Sequence, residues 1–211
     1  MDSIRQEQLS EFFQGVADIF AEKKDELCAM DAKMGDGDLG LTMEKGFGAL
    51  PRLIAESQEE NNIGKTLIKS GMKMAGIVPS TMGTLMASGI MEGGKVIGAV
   101  DAMGPWELSA FLTGFAAGIQ KRGKCQLGDR TILDAVDASA KRAAQAYDGQ
   151  KSMKEIIEAA VQGASEGVEA TKNMLPKYGK AAVFPAKAKG VADQGAVAGK
   201  YLLEGLMRFF I

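Results

Sequence analysis

Ile4-Arg5-Gln6-Glu7-Gln8-Leu9-Ser10-Glu11-Phe12-Phe13-Gln14-Gly15-Val16-Ala17-Asp18-Ile19-Phe20 opens the chain with large apolar residues mostly three or four positions apart. That spacing returns the same face of an α-helix at each turn, so the stretch predicts an amphipathic helix running to about Glu26. The same period recurs downstream. It predicts a helix from Leu39 into the fifties, which Pro51 should kink or end, then helices over Asn62–Ala75 and Ser80–Val96. Gly104-Pro105-Trp106-Glu107 reads as a helix start, with Leu108, Phe111, Leu112, Phe115, Ala116 and Ile119 as its buried face. Thr131–Tyr147, Ser152–Leu175 and Ala192–Phe209 complete about eight helices. Alternating character occurs only at Ala181–Phe184, which is too short for a sheet. The expectation is one all-α domain spanning residues 1–211, with no internal repeat and no low-complexity linker.

Between the first two helices stands Asp31-Ala32-Lys33-Met34-Gly35-Asp36-Gly37-Asp38-Leu39-Gly40-Leu41-Thr42. Three carboxylates within eight residues repel one another unless something offsets their charge, and a hard divalent cation does so with oxygen ligands. The interspersed glycines let the backbone bend sharply enough for Asp31, Asp36 and Asp38 to converge. The amides of Leu39, Gly40, Leu41 and Thr42 then open a helix, where N–H groups and the dipole favour an anion. Carboxylates beside a helix start suggest a magnesium–phosphate site. A solvated turn followed by an N-cap is the competing reading. An EF-hand fits poorly, because counting from Asp36 puts Leu41 at the required glycine and Phe47 at the closing Glu.

Other loops also lead into helices. Val78-Pro79-Ser80-Thr81-Met82-Gly83-Thr84 offers hydroxyls and amides suited to phosphate, with a plain N-cap as the alternative. Arg122-Gly123-Lys124-Cys125-Gln126-Leu127-Gly128-Asp129-Arg130-Thr131 reads by itself as a structural loop, and Asp193 by itself as an N-cap. Such loops at alternate helix junctions can meet at one end of an up-and-down bundle.

Composition narrows the chemistry. The 211-residue chain has no histidine, which removes histidine-based nucleophile activation, histidine metal sites and phosphohistidine. A net charge of −2 argues against a broad nucleic-acid-binding surface. Met74–Met91 is uncharged but too polar and too broken by glycine and proline to span a membrane. Cys28 and Cys125 are far apart and outside any CxxC pattern, which fits reduced structural thiols. The opening Met-Asp-Ser-Ile-Arg-Gln-Glu lacks the basic and apolar regions of a signal peptide, so the expected compartment is the cytoplasm.

Taken together, the aspartate run, the Arg122–Asp134 segment with its Gly128-Asp129-Arg130-Thr131, and Asp193-Gln194-Gly195-Ala196 resemble the nucleotide-binding L subunit of bacterial dihydroxyacetone kinase over nearly the whole chain. The resemblance implies an antiparallel eight-helix barrel that binds ADP or ATP and two magnesium ions at one end. It implies Asp31, Asp36 and Asp38 as magnesium ligands. Leu39, Gly40, Leu41 and Thr42 would cradle phosphates, as would Ser80, Thr81, Met82 and Gly83. Gly123 and Ile132 would line the adenine and ribose pocket, and Asp193, Gln194 and Gly195 the closing loop. Lys180 and Thr81 would act in phosphoryl transfer.

The implied partners are a substrate-binding K subunit and, in phosphotransferase-coupled systems, a third phosphoryl-donor subunit; a homodimer is a further expectation. Leu39 stands where coupled subunits often carry His, and Lys180 where the family has Arg. Pro79-Ser80-Thr81-Met82-Gly83 replaces Gly-Gly-x-Ser-Gly, and Val183-Phe184-Pro185-Ala186-Lys187 replaces Tyr-Leu-Gly-Glu-Arg. The first two changes remove polar contacts to the nucleotide and tilt the expectation toward an exchangeable one. The competing functions are the ATP-binding module of a fatty acid kinase and a nucleotide-sensing regulatory protein without turnover.

Overall fold

The computed structural model describes residues 3–183 and 185–211. Its helices are α1 (Leu9–Glu22), α2 (Lys24–Asp31), α3 (Leu39–Ala55), α4 (Ile63–Ile77), α5 (Thr81–Ile97), α6 (Pro105–Gly123), α7 (Ile132–Asp148), α8 (Met153–Thr171), α9 (Pro185–Ala188) and α10 (Gln194–Met207). Eight of these form a ring: α1, α3, α4, α5, α6, α7, α8 and α10 each pack on the next, and α10 closes back onto α1. Direction alternates around the ring, so α3, α5, α7 and α10 all begin at one end. The short α2 packs against α3 and α10 at that same end. None of the described helices is long and apolar enough to cross a membrane.

The inward stripe of every ring helix feeds one continuous hydrophobic core. Phe20 of α1 stacks on Phe47 of α3 with centroids 4.8 Å apart, while Phe12 meets Phe13, Phe209 and Phe210 edge to face. Burying each such ring contributes about 2–3 kcal/mol. Close helix crossings depend on glycine. A Cβ at Gly205 of α10 would stand 2.6 Å from the Val16 Cα of α1, and one at Gly167 of α8 would stand 2.7 Å from the Ala135 Cα of α7.

The structure corrects several local expectations. The opening segment is not one helix: Ile4–Arg5 pairs antiparallel with Ala102–Met103, a short helical turn follows at Gln6–Gln8, and Lys23 breaks α1 from α2. Pairing with a segment a hundred residues away competes with helical periodicity there, and no local pattern announces it. Pro51 lies inside α3 without ending it, and its carbonyl accepts the Ser10 hydroxyl at 2.8 Å. The helix α8 stops at Thr171 instead of Leu175. Lys180–Val183 forms a helical turn where alternation suggested a strand, and Phe184 of that expectation lies outside the described residues.

Candidate functional site at the helix-start end

The aspartate run folds as a tight loop between α2 and α3. Asp31, at the end of α2, is nearly buried, and its Oδ2 accepts the Gly37 and Asp38 amides at 2.9 and 3.2 Å. These bonds curl residues 32–38 back over the helix end. Gly37 sits at φ +79, and a Cβ at Gly35 would collide with the Asp31 carboxylate, so both glycines are required for the curl. A Cβ at Gly40 would strike the Lys24 carbonyl, which keeps α3 close against α2.

Asp38 occupies the N-cap position of α3, yet its side chain does not cap the helix and makes no hydrogen bond or ion pair among the described residues. The first-turn amides of α3 are therefore left without the side-chain acceptor such a residue normally supplies. Asp36 is exposed and pairs with Lys180 from the α8–α10 connection. Gln194, opening α10, donates to Asp31 Oδ1 at 3.3 Å, and its own buried Oε1 has no partner. As they stand, no three Asp, Glu, Cys or His side chains among the described residues are gathered into a metal-binding group, because Asp36 turns toward Lys180 while Asp31 is held by the loop. The donor chemistry nevertheless suits magnesium, with a free carboxylate, an exposed one and an orphaned amide oxygen about the buried Asp31.

Three other helix starts surround this loop. Ser80 caps α5 by accepting the Gly83 amide at 3.0 Å, leaving Thr81 exposed beside it. A Cβ at Gly195 would lie 3.0 Å from Met82 Cε and 3.4 Å from the Ile132 nitrogen, so the starts of α5, α7 and α10 meet at this glycine. Gly123, ending α6, lies against Leu85 and Cys125 on the apolar side of the same end. The fold thus brings the aspartate loop, Lys180, Ser80–Gly83, Ile132 and Asp193–Gly195 to one rim.

Beneath that rim lie polar groups of which sequence reading identified Asp193 as an N-cap but gave Asp134, Asp129 and Lys177 no role. Asp134 Oδ1 accepts the Gly128 amide at 2.6 Å and Oδ2 the Thr131 amide at 2.8 Å, bracing the 124–131 loop. Asp193 is buried; its Oδ2 caps α10 through the Ala196 amide, and its own amide donates to Thr171 Oγ1, both at 2.9 Å. Burial pushes the Asp193 carboxyl up to about 6, against the opposing pull of the Ala196 amide and the Arg130 guanidinium. Lys177 pairs with Asp129 and holds its carboxyl below the usual range, and Tyr178 donates to the Lys124 carbonyl at 2.8 Å. Thr131-Ile132-Leu133-Asp134 carries capping-box spacing, which was the available signal for Asp134. No local signal announces the contacts to residues 172–193.

Two broad hollows, one lined by Pro105, Tyr147, Asp148, Gln150 and Lys151 and the other by Ser3, Arg5, Glu7 and Gln8, lie at the opposite end of the ring, away from this chemistry.

A family model described as the DAK2 domain matches residues 33–208. The chain is 28% identical over 195 residues to the ADP-binding subunit DhaL of PEP-dependent dihydroxyacetone kinase 2 of Listeria innocua, covering 92% of this chain and 90% of that one. It is 24% identical over 204 residues to the corresponding DhaL subunit of Escherichia coli, with 97% of each covered. The crystal structure of the dihydroxyacetone kinase of C. freundii in complex with AMP-PNP and Mg2+ superposes with a TM-score of 0.71 at 24% identity. That alignment takes in 95% of this chain but only 33% of the larger protein, and it establishes the fold.

Proposed function

The chain belongs to the DAK2-domain family, and on that premise we propose that it is the ADP- or ATP-binding, magnesium-dependent subunit of a dihydroxyacetone kinase-type phosphotransferase. It acts as a single cytoplasmic domain with a separate K-type subunit that holds dihydroxyacetone or a related small ketose or polyol. The observation that carries the reading is the aspartate loop leading into the uncapped start of α3, set against Gln194 and ringed by three more helix starts.

Asp31, Asp36 and Asp38 would hold the metal, with two ions as the number to be tested by binding stoichiometry. When bound, magnesium neutralises charge on the transferring phosphoryl group. This chain's own groups do the positioning. The first-turn amides of Leu39 to Leu41 and the Thr42 side chain would face phosphate oxygens, and the exposed Thr81 hydroxyl of the Ser80–Gly83 turn would donate there. Lys180, already drawn to Asp36, supplies a mobile counter-charge that can transfer from carboxylate to phosphate. Gly123 and Ile132 would line the pocket for the base and ribose, which requires the buried Ile132 to be uncovered as the nucleotide enters.

Leu39 is packed into the core and contributes only its backbone amide to the rim. The nucleotide therefore lacks a side-chain contact at this point, and we propose that it exchanges with solvent nucleotide. Purification without added nucleotide, dialysis against magnesium buffer and denaturation should release less than one equivalent of ADP. Stoichiometric ADP would reverse that choice and favour a permanently bound cofactor served by a phosphotransferase-system donor subunit.

The kinase reading is tested by supplying purified protein with ATP, magnesium and a panel of trioses and tetroses. No phosphorylated product is expected until a K-type subunit is added, and turnover by the single chain would refute the two-part assignment. Sedimentation of the same sample tests self-association into a homodimer.

A further inference from the structure

Arg130 is a costly residue where it stands. Its side chain is completely buried, and its backbone adopts φ +60, a left-handed conformation that a non-glycine residue enters at a penalty of roughly 1 kcal/mol. Asp134 stabilises that conformation by holding the amides of Gly128 and Thr131 on either side. The guanidinium is thereby turned inward, away from solvent. Nη2 donates to the Val191 carbonyl at 3.0 Å, Nη1 stands 3.6 Å from Asp193 Oδ1, and neither Nη1 nor Nε has a hydrogen-bond partner. A strained backbone and a buried, underused cation form a combination that persists only when the surrounding structure over-determines it.

What Arg130 reaches is the last stretch of the α8–α10 connection. This connection carries Lys180 and ends in Asp193-Gln194-Gly195 at the rim. Its outer part is tied to the same 124–131 loop by the exposed Lys177 on the buried Asp129 and by the exposed Tyr178 on the Lys124 carbonyl. The inner tie differs in that both of its charged side chains are buried. It fixes Asp193, which in turn starts α10 and sets where Gln194 meets Asp31.

We propose that Arg130 is a positioning residue for the nucleotide site, anchoring the α8–α10 connection through Val191 and Asp193 so that the connection retains bound nucleotide. The proposal rests on the nucleotide-binding reading above and adds a determinant of residence time that touches neither metal nor nucleotide. The planar fork can serve the Val191 carbonyl and the Asp193 carboxylate together, which the single ammonium of lysine does less well. The pair is not closed at 3.6 Å, so there is room for it to tighten when the connection settles on a ligand.

The test uses the full chain and a fluorescent ADP analogue with magnesium, followed by stopped-flow mixing. Arg130→Lys keeps charge and backbone preference but loses the fork, and Asp193→Asn removes the ionic partner while keeping an oxygen for the α10 cap. Both should release nucleotide about five- to tenfold faster with association rates within about twofold, since a lost anchor acts on dissociation. Trypsin gives the second readout: magnesium–ADP should protect the lysines of residues 172–189 in the wild type and protect them less in both variants. Folded variants with unchanged off-rates and unchanged protection would overturn the proposal. If Arg130→Lys does not fold, Asp193→Asn decides on the same criteria. A wild-type chain that binds no magnesium–ADP would refute the nucleotide-binding reading itself, and would show as missing binding in every sample, not as a difference between them.

Discussion

Two aspartates stand at helix N-cap positions at the same end of the ring and are used in opposite ways. Asp193 is buried, accepts the Ala196 amide, lies beside Arg130 and starts α10. Asp38 is exposed, caps nothing and leaves α3 open. Residue type and position are the same, so the difference comes from surroundings. Asp193 is enclosed by α7, α8 and α10, where an unbonded carboxylate would be costly, and every bond it makes is internal. Asp38 sits on a loop that Asp31 has pulled tight, and its carboxylate is left exposed to solvent. A cap that is used contributes to folding, while one left free remains available to a ligand.

The sharpest way to break this comparison is to remove each carboxylate and measure stability. Asp193→Ala should lower unfolding free energy in urea by about 3 kcal/mol, through a lost cap and a buried guanidinium left without its partner. Asp38→Ala should change it by less than about 0.5 kcal/mol, as expected for a surface side chain with no partner. Equal losses would mean that Asp38 has a structural duty after all.

Ligand binding should invert the order. Asp38→Asn or Asp36→Asn should weaken magnesium-dependent ADP binding by about a hundredfold or more in calorimetry, each removing a hard anionic ligand at little cost in melting temperature. Undiminished affinity in both would remove the metal assignment from this loop.

A third prediction concerns pH. Asp193 has a folded value of about 6 against an ordinary 3.8, so between those values the native state holds a proton that the unfolded chain has released. Stability from this group is therefore greatest at low pH and falls as pH rises from about 4 to 6, by an amount on the order of 3 kcal/mol. Urea melts of wild type minus Asp193→Asn, which cancel the other carboxylates, should show that decline. A flat difference would mean that Arg130 keeps Asp193 ionised throughout.

The smallest effect belongs to the exposed ion pair. Lys180→Met should leave stability within about 0.5 kcal/mol, because solvent screens a pair whose side chains are more than half exposed. It should weaken ADP binding a few-fold, the usual value of one exposed counter-charge. A large stability loss would make Lys180 a structural strut between the two loops.

The same contrast marks how far the sequence could be read. The spacing of Phe12, Val16, Ile19 and Phe20 announced α1, and Asn62, Ser80, Thr131 and Ser152 were readable as helix starts, since caps and amphipathic faces act within four residues. The strand pair Ile4–Arg5 with Ala102–Met103 was not readable, nor was the intact passage of α3 through Pro51. Asp31, Asp36 and Asp38 stood out because repulsion among close carboxylates is itself a local signal, whereas the turn of Asp36 toward Lys180 was not legible, and their role as metal ligands rests on the proposal above. Arg130 was quoted within a motif yet given no role, because its role is defined by residues sixty positions away.

By itself, then, the sequence determined the helices, most of their starts and the clustering of carboxylates and glycines between Asp31 and Thr42, all consequences of near neighbours in the chain. Only the closed ring decided which of those helix starts share an end, which aspartate is enclosed and which is left to solvent, and that Lys180 meets Asp36 and Gln194 meets Asp31. Those outcomes depend on how eight amphipathic stripes bury against one another at once. Burial, not local composition, sets whether a polar group must find a partner within the fold or can wait for one from outside.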